Sequence, residues 1–120
     1  MQIILYALLA IVLVLILSRL MPVKGIRMIS TEELKSELKN KNKQFIDVRT
    51  PGEYKGNHIR GFKNTPLQQL PKQIDTLSKD KEVVVICQSG MRSMNAAKLL
   101  KKSGFHSVTN VKGGMNAWRS

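Results

Sequence analysis

The hydrophobic pattern divides the chain in two. Ile3 to Leu17 is an unbroken apolar run, and the first charged side chain is Arg19. After Met28 the apolar clusters are short and separated by polar stretches. A helix rises about 1.5 Å per residue, so Met1 to Leu20 would extend roughly 30 Å, the thickness of a bilayer's hydrocarbon core. A cleaved signal peptide needs a basic start and a small-residue cleavage site, and LSRLMPVK offers neither. A buried core helix would show a polar face. The pattern therefore predicts a transmembrane anchor over residues 1–21, a linker over 22–27 and a folded domain over 28–120. Arg19, Lys24 and Arg27 follow the apolar run, so the positive-inside bias predicts an outside N-terminus and a cytoplasmic domain at the cell membrane.

Within the domain, Arg27 to Ile29 reads as a small strand. Ser30-Thr31-Glu32-Glu33 has capping-box spacing, and a helix with Leu34 and Leu38 on one face should run to about Lys39. Gln44 to Val48 reads as a strand. Thr50 then caps a short helical turn with Pro51 at its first position. Gly61 to Pro66 is loop-like, and Leu67 to Leu77 is a helix interrupted by Pro71. Val83 to Ile86 is apolar on both faces, as in a central parallel strand. Arg92 to Lys102 is amphipathic, with Ala96, Ala97, Leu99 and Leu100 on its apolar side and Gly104 at the C-cap. Ser107 to Val111 is a further strand. Gly113-Gly114 leads into a last short helix carrying Trp118. Strands alternate with helices, which predicts an α/β fold with a mainly parallel central sheet flanked by helices.

Charge changes this picture little. The chain carries +12 overall; without Met1 to Lys24, 18 basic residues face 8 acidic ones. The lysines are scattered and no nucleic-acid-binding motif is visible, so no nucleic-acid partner is expected. The anchor makes the membrane the expected partner of residues 1–21.

The single cysteine matters more. Cys87 forms no internal disulfide, which suits a reducing compartment. It follows VVVI directly and precedes a helix, so it sits at the carboxyl end of a strand, where open α/β sheets bind ligands. Gly90 lets the loop turn tightly. The helix N-terminus and Arg92 favour negative charge. All three features favour a thiolate. The competing view, a small apolar residue closing a strand, needs neither Gly90 nor Arg92.

CQSGMRS, Cys87 to Ser93, resembles the active-site loop of rhodanese-like sulfurtransferases. FIDVRTPGEYKGNHIRGFKNTPL, Phe45 to Leu67, is similar to a second motif of that family, and GGMNAW, Gly113 to Trp118, to its closing motif. Asn57 replaces a common Gly and Phe62 a common Ala. The resemblance implies a rhodanese-like fold from about Met28 to Arg119. It implies that Cys87 takes a sulfane sulfur from a small-molecule donor, thiosulfate or a persulfide. A thiol, cyanide or a sulfur-accepting protein then collects it. Gln88, Ser89, Gly90, Met91 and Arg92 would bind the substrate. Neutral Gln88 and Ser89 argue against thiosulfate as the donor. Asp47, Arg49 and Glu53 would brace the loops, with Glu53 as partner of Arg49. No cofactor is implied.

The same fold hosts phosphatases and arsenate reductases with a cysteine loop one residue longer; Cys87 to Arg92 has the shorter length. A non-catalytic, membrane-tethered binding or regulatory module is the alternative from another class, and the intact cysteine loop counts against it. His58 is expected in a structural turn and His106 on the surface. Two distant His and one Cys give no metal-site spacing, so no metal is expected. Trp118 is expected to plug the core.

Overall fold

A computed structural model describes residues 1–20 and 25–119, with Arg19 and Leu20 described by backbone alone. Helix α1 covers Gln2–Leu20. Its apolar side chains, from Ile3 to Leu17, are exposed. Among the described residues, no helix is long and apolar enough to cross a membrane. This corrects the expected single-pass anchor, and with it the outside N-terminus, the cytoplasmic domain and the membrane partner for residues 1–21. The physical shortfall is one of length. The continuous apolar run from Ile3 to Leu17 rises only about 22 Å, against a hydrocarbon core of about 30 Å. Of the expected linker, residues 22–24 lie outside the described residues. Strand β1 begins at Ile26, so Ile26 and Arg27 belong to the sheet rather than to a linker.

The remaining elements are β1 (Ile26–Ile29), α2 (Thr31–Glu37), β2 (Gln44–Asp47), α3 (Pro51–Gly56), β3 (Lys63–Asn64), α4 (Leu70–Gln73), β4 (Val83–Ile86), α5 (Met91–Lys102), β5 (Val108–Val111) and α6 (Gly114–Ala117). Short 3₁₀ turns flank α4 on both sides. The five strands form one parallel sheet in the order β1-β5-β4-β2-β3. The fold is α/β with a parallel central sheet, as expected.

Local chemistry explains the element starts. Ser30 and Glu33 close a capping box on α2, and Thr50 and Glu53 close another on α3 with Pro51 in its first turn. Such boxes satisfy backbone donors that the first turn leaves free. Gly104 takes φ +94 just beyond α5, as a C-terminal glycine should. Pro71 is accommodated at the start of α4, and the expected helix over 67–77 breaks into α4 and its two 3₁₀ turns. Strand β3 lies within the expected loop Gly61 to Pro66. Its two residues carry no apolar pattern, and pairing to β2 makes them a strand.

All four residues of β4 are buried, because helices cover both faces. Val83 and Val85 join Ile46, Leu70, Ala96, Ala97, Leu100, Phe105 and Val108 on one side. Val84 and Ile86 join Ile29, Leu34, Phe45, Phe62, Val111 and Met115 on the other. Trp118 falls just after α6 and is only partly buried against the second cluster, while Met115 fills the core position expected for it. Phe62 places its ring 5.3 Å from that of Phe45, so the bulkier residue at this motif position enlarges the core.

Candidate active site

Register brings the carboxyl ends of β2 and β4 together. Asp47 pairs with Ile86, and the Val48 N–H donates to the Ile86 carbonyl at 3.0 Å. The chain after β2 and the Cys87 loop therefore leave the sheet side by side. Gly90 takes φ +105 and starts α5. A side chain there would be strained by this backbone angle, while its Cβ would only touch the Gly113 nitrogen at 3.4 Å.

The cysteine is fully buried, which alone would suit a packing residue. Its hydrogen bonds do not. Sγ accepts from the Gly90 N–H at 3.0 Å and from the Ser93 hydroxyl at 3.3 Å. Burial opposes ionisation of the thiol. The Ser93 hydroxyl and the N–H groups of Ser93, Gly90 and Ser89 outweigh it and lower the thiol pKa below its ordinary value. Ser93 was not singled out in the sequence. It is the residue after Arg92, one helical turn beyond Gly90, and a buried hydroxyl on the first turn of α5 was the available signal.

The closing motif holds the loop from behind. The Met115 N–H donates to the Cys87 carbonyl at 2.9 Å and the Asn116 N–H to the Gln88 carbonyl at 3.0 Å. Gly114 has φ +54, and a Cβ on it would lie 2.2 Å from the Cys87 carbonyl oxygen. Only glycine lets the two backbones approach this closely.

Asp47 and Arg49 form the brace. Both are buried, and Arg49 Nη2 meets Asp47 Oδ2 at 2.8 Å while Nε meets Oδ1 at 3.0 Å. Arg49 also donates to the Glu53 carbonyl at 3.3 Å, the Asn57 carbonyl at 2.6 Å and Gln88 Oε1 at 3.2 Å. The Gln88 amide then reaches Asn116 Oδ1 at 2.6 Å. The Asn57 backbone is used rather than its side chain, and its φ of −168 is extended, so a glycine is not needed there.

The Glu53 carboxylate does not pair with Arg49, correcting that expectation. It pairs with Arg92 instead, through two contacts at 2.7 and 2.8 Å. The Arg92 guanidinium, helped by N–H and hydroxyl donation from Thr50, holds the Glu53 pKa at about 2 against burial. Glu53 in turn raises the Arg92 pKa. The cation of the loop is thus already neutralised. Met91 and Ser89 point outward and are exposed. His58 is exposed, stacks on Tyr54 and stays away from the sulfur. His106 is exposed beside Asp80. Among the described residues, no group of three or more His, Cys, Asp or Glu is placed to hold a metal ion.

A parallel α/β sheet with a cysteine at the carboxyl end of its central strand, cradled by the next helix's N-terminus, defines a cysteine-loop class of domain. The rhodanese-like domain model matches residues 30–120, and the chain belongs to that family. It is 44% identical over 94 residues to the putative sulfurtransferase YtwF of Bacillus subtilis, covering 78% of this chain and 90% of that protein. It is 32% identical over 90 residues to the thiosulfate sulfurtransferase GlpE of Shewanella oneidensis, covering 75% and 89%. The chain spans only 60% of YqhL of Bacillus subtilis, an uncharacterised protein to which it is 44% identical over 75 residues and which covers 62% of this chain. The crystal structure of a rhodanese-like domain protein from Staphylococcus aureus superposes with a TM-score of 0.72 at 33% identity, covering 78% and 92%.

Proposed function

We propose that the chain is a sulfurtransferase in which Cys87 carries sulfur as a persulfide. The observation that carries this reading is the sulfur itself, held by the Gly90 N–H and the Ser93 hydroxyl at the start of α5. Sulfurtransferase relatives support it at family level. The Cys87 thiolate attacks the outer sulfur of a donor persulfide, the donor's S–S bond breaks, and the donor leaves as a thiolate. An acceptor thiolate or cyanide then attacks the outer sulfur on Cys87, and the Cys87 thiolate is regenerated. The two steps balance without an external oxidant. The N–H groups of Gln88 to Arg92 would hold the transferred sulfur, and Asp47, Arg49 and Glu53 would keep the loop in shape.

The donor we infer is a persulfide rather than thiosulfate. Thiosulfate brings two negative charges, and the loop's cation is already bound by Glu53. Gln88 and Ser89 add no charge. Initial rates on the full chain, with a low-molecular-weight persulfide or thiosulfate as donor and cyanide as acceptor, test both points. Parallel double-reciprocal lines and a higher kcat/KM for the persulfide are expected. Intersecting lines would contradict the covalent carrier, and a preference for thiosulfate would contradict the donor.

A further inference from the structure

Ser93 has one hydroxyl hydrogen and two acceptors for it. Sγ of Cys87 lies at 3.3 Å and the Gly90 carbonyl oxygen at 3.1 Å. The nearer acceptor competes with the sulfur. That carbonyl, however, already receives the Met94 N–H at 3.2 Å from the first turn of α5 and the Asn110 side-chain amide at 3.3 Å from β5. A carbonyl oxygen offers two lone pairs, and three donors converge on this one. We infer that Asn110 is a positioning residue for the thiolate: by filling the second lone pair of the Gly90 carbonyl, it leaves the Ser93 hydrogen to the sulfur.

Asn110 is otherwise hard to explain. It lies on β5, directly beside the central strand, registered to Val85 and Met28, and is only 1% exposed. Its Oδ1 is buried with no hydrogen-bond partner among the described residues. An orphaned buried acceptor is destabilising, so packing alone would favour an apolar residue here. The amide is oriented by its neighbour, because only its N–H₂ can face a carbonyl oxygen. The half of the side chain that is satisfied is the half that meets the cysteine loop.

This inference rests on the thiolate being the working form of Cys87, as proposed above. Its test reads ionisation directly and does not depend on sulfur transfer. The thiolate's ultraviolet absorbance would be titrated against pH in the full chain, with Cys87→Ser as the blank. The variants are Asn110→Leu, Ser93→Ala and the double variant, with Asn110→Val as a second choice should Leu misfold. The charged groups facing the loop, Arg92 with Glu53 and Arg49 with Asp47, are paired and unchanged throughout. Asn110→Leu is expected to cut the thiolate fraction at neutral pH several-fold with melting within a few degrees of wild type. Ser93→Ala should cut it at least as much, and adding Asn110→Leu to Ser93→Ala should change nothing further. An unchanged titration in Asn110→Leu and Asn110→Val would overturn the inference. So would a full additional loss in the double variant, because the two side chains would then act independently. The expected titrations in a protein that takes up no sulfur would sink the transfer reading and leave this one standing.

Discussion

The two ends of the sheet carry charge networks of similar size and different purpose. At the amino end, Arg27 meets Glu37 and Glu82, Lys43 meets the same two carboxylates, and Thr109 donates to Glu82 at 3.0 Å. At the carboxyl end, Arg49 meets Asp47 and Arg92 meets Glu53. The first network ties the starts of β1, β2 and β4 to α2 and stays partly wet. The second surrounds a sulfur. A cluster of charges is therefore not what distinguishes the site. The difference lies in the main chain, which turns N–H groups inward at Gly90 and lets α6 approach through Gly114 only at this end.

The sharpest way to break the comparison is Arg49→Ala. It leaves the Asp47 carboxylate buried without its cation, and denaturant unfolding should show a loss of about 3–5 kcal/mol. A variant that melts normally but has lost activity would contradict the bracing role. Gly114→Ala comes next. Its Cβ would collide with the Cys87 carbonyl, so we expect a loss of about 1–3 kcal/mol together with a less acidic thiol, followed by unfolding and thiolate titration. An unaffected thiol would separate α6 from the site.

Acid unfolding sharpens the comparison further. The Glu53 pKa lies at about 2 when folded, against 4.5 for an unperturbed glutamate. Its contribution is complete above pH 4.5 and fades as pH falls toward 2. Glu37 and Glu82 are also lowered, so the quantity to follow is wild type minus Glu53→Gln. That difference should shrink across this window. A difference that stays constant would mean the Arg92 pair contributes nothing. The smallest effect is expected at the amino end. Glu82→Gln should cost about 1 kcal/mol or less and leave sulfur uptake unchanged. Lost uptake would show that the two ends are coupled.

Local signals in the sequence survived folding and distant ones did not. The capping boxes at Ser30 and Thr50 use partners three residues apart, and both form. The doubly apolar Val83 to Ile86 is the buried central strand, and the Cys87 loop ends it. Strand β3 was invisible because only its neighbour makes it a strand. The choice of Arg49 over Arg92 for Glu53 followed chain proximity, four residues against 39. The fold reverses it, because Arg49 is consumed by Asp47. Asn110 and Asn116 are not legible because each acts across a gap set by the sheet and α6. Ser93 acts locally, three residues from Gly90 and six from Cys87, and only its burial against the sulfur sets it apart. The apolar N-terminal run was legible as a helix, yet its length falls short of a span.

The central claim is that Cys87 carries sulfur. Intact mass of the full chain after incubation with a low-molecular-weight persulfide, beside Cys87→Ser, tests it most directly. A gain of about one sulfur atom, absent from the variant and discharged by cyanide or thiol, is the predicted result. A folded chain with a free thiol and no sulfur adduct from any donor would contradict it.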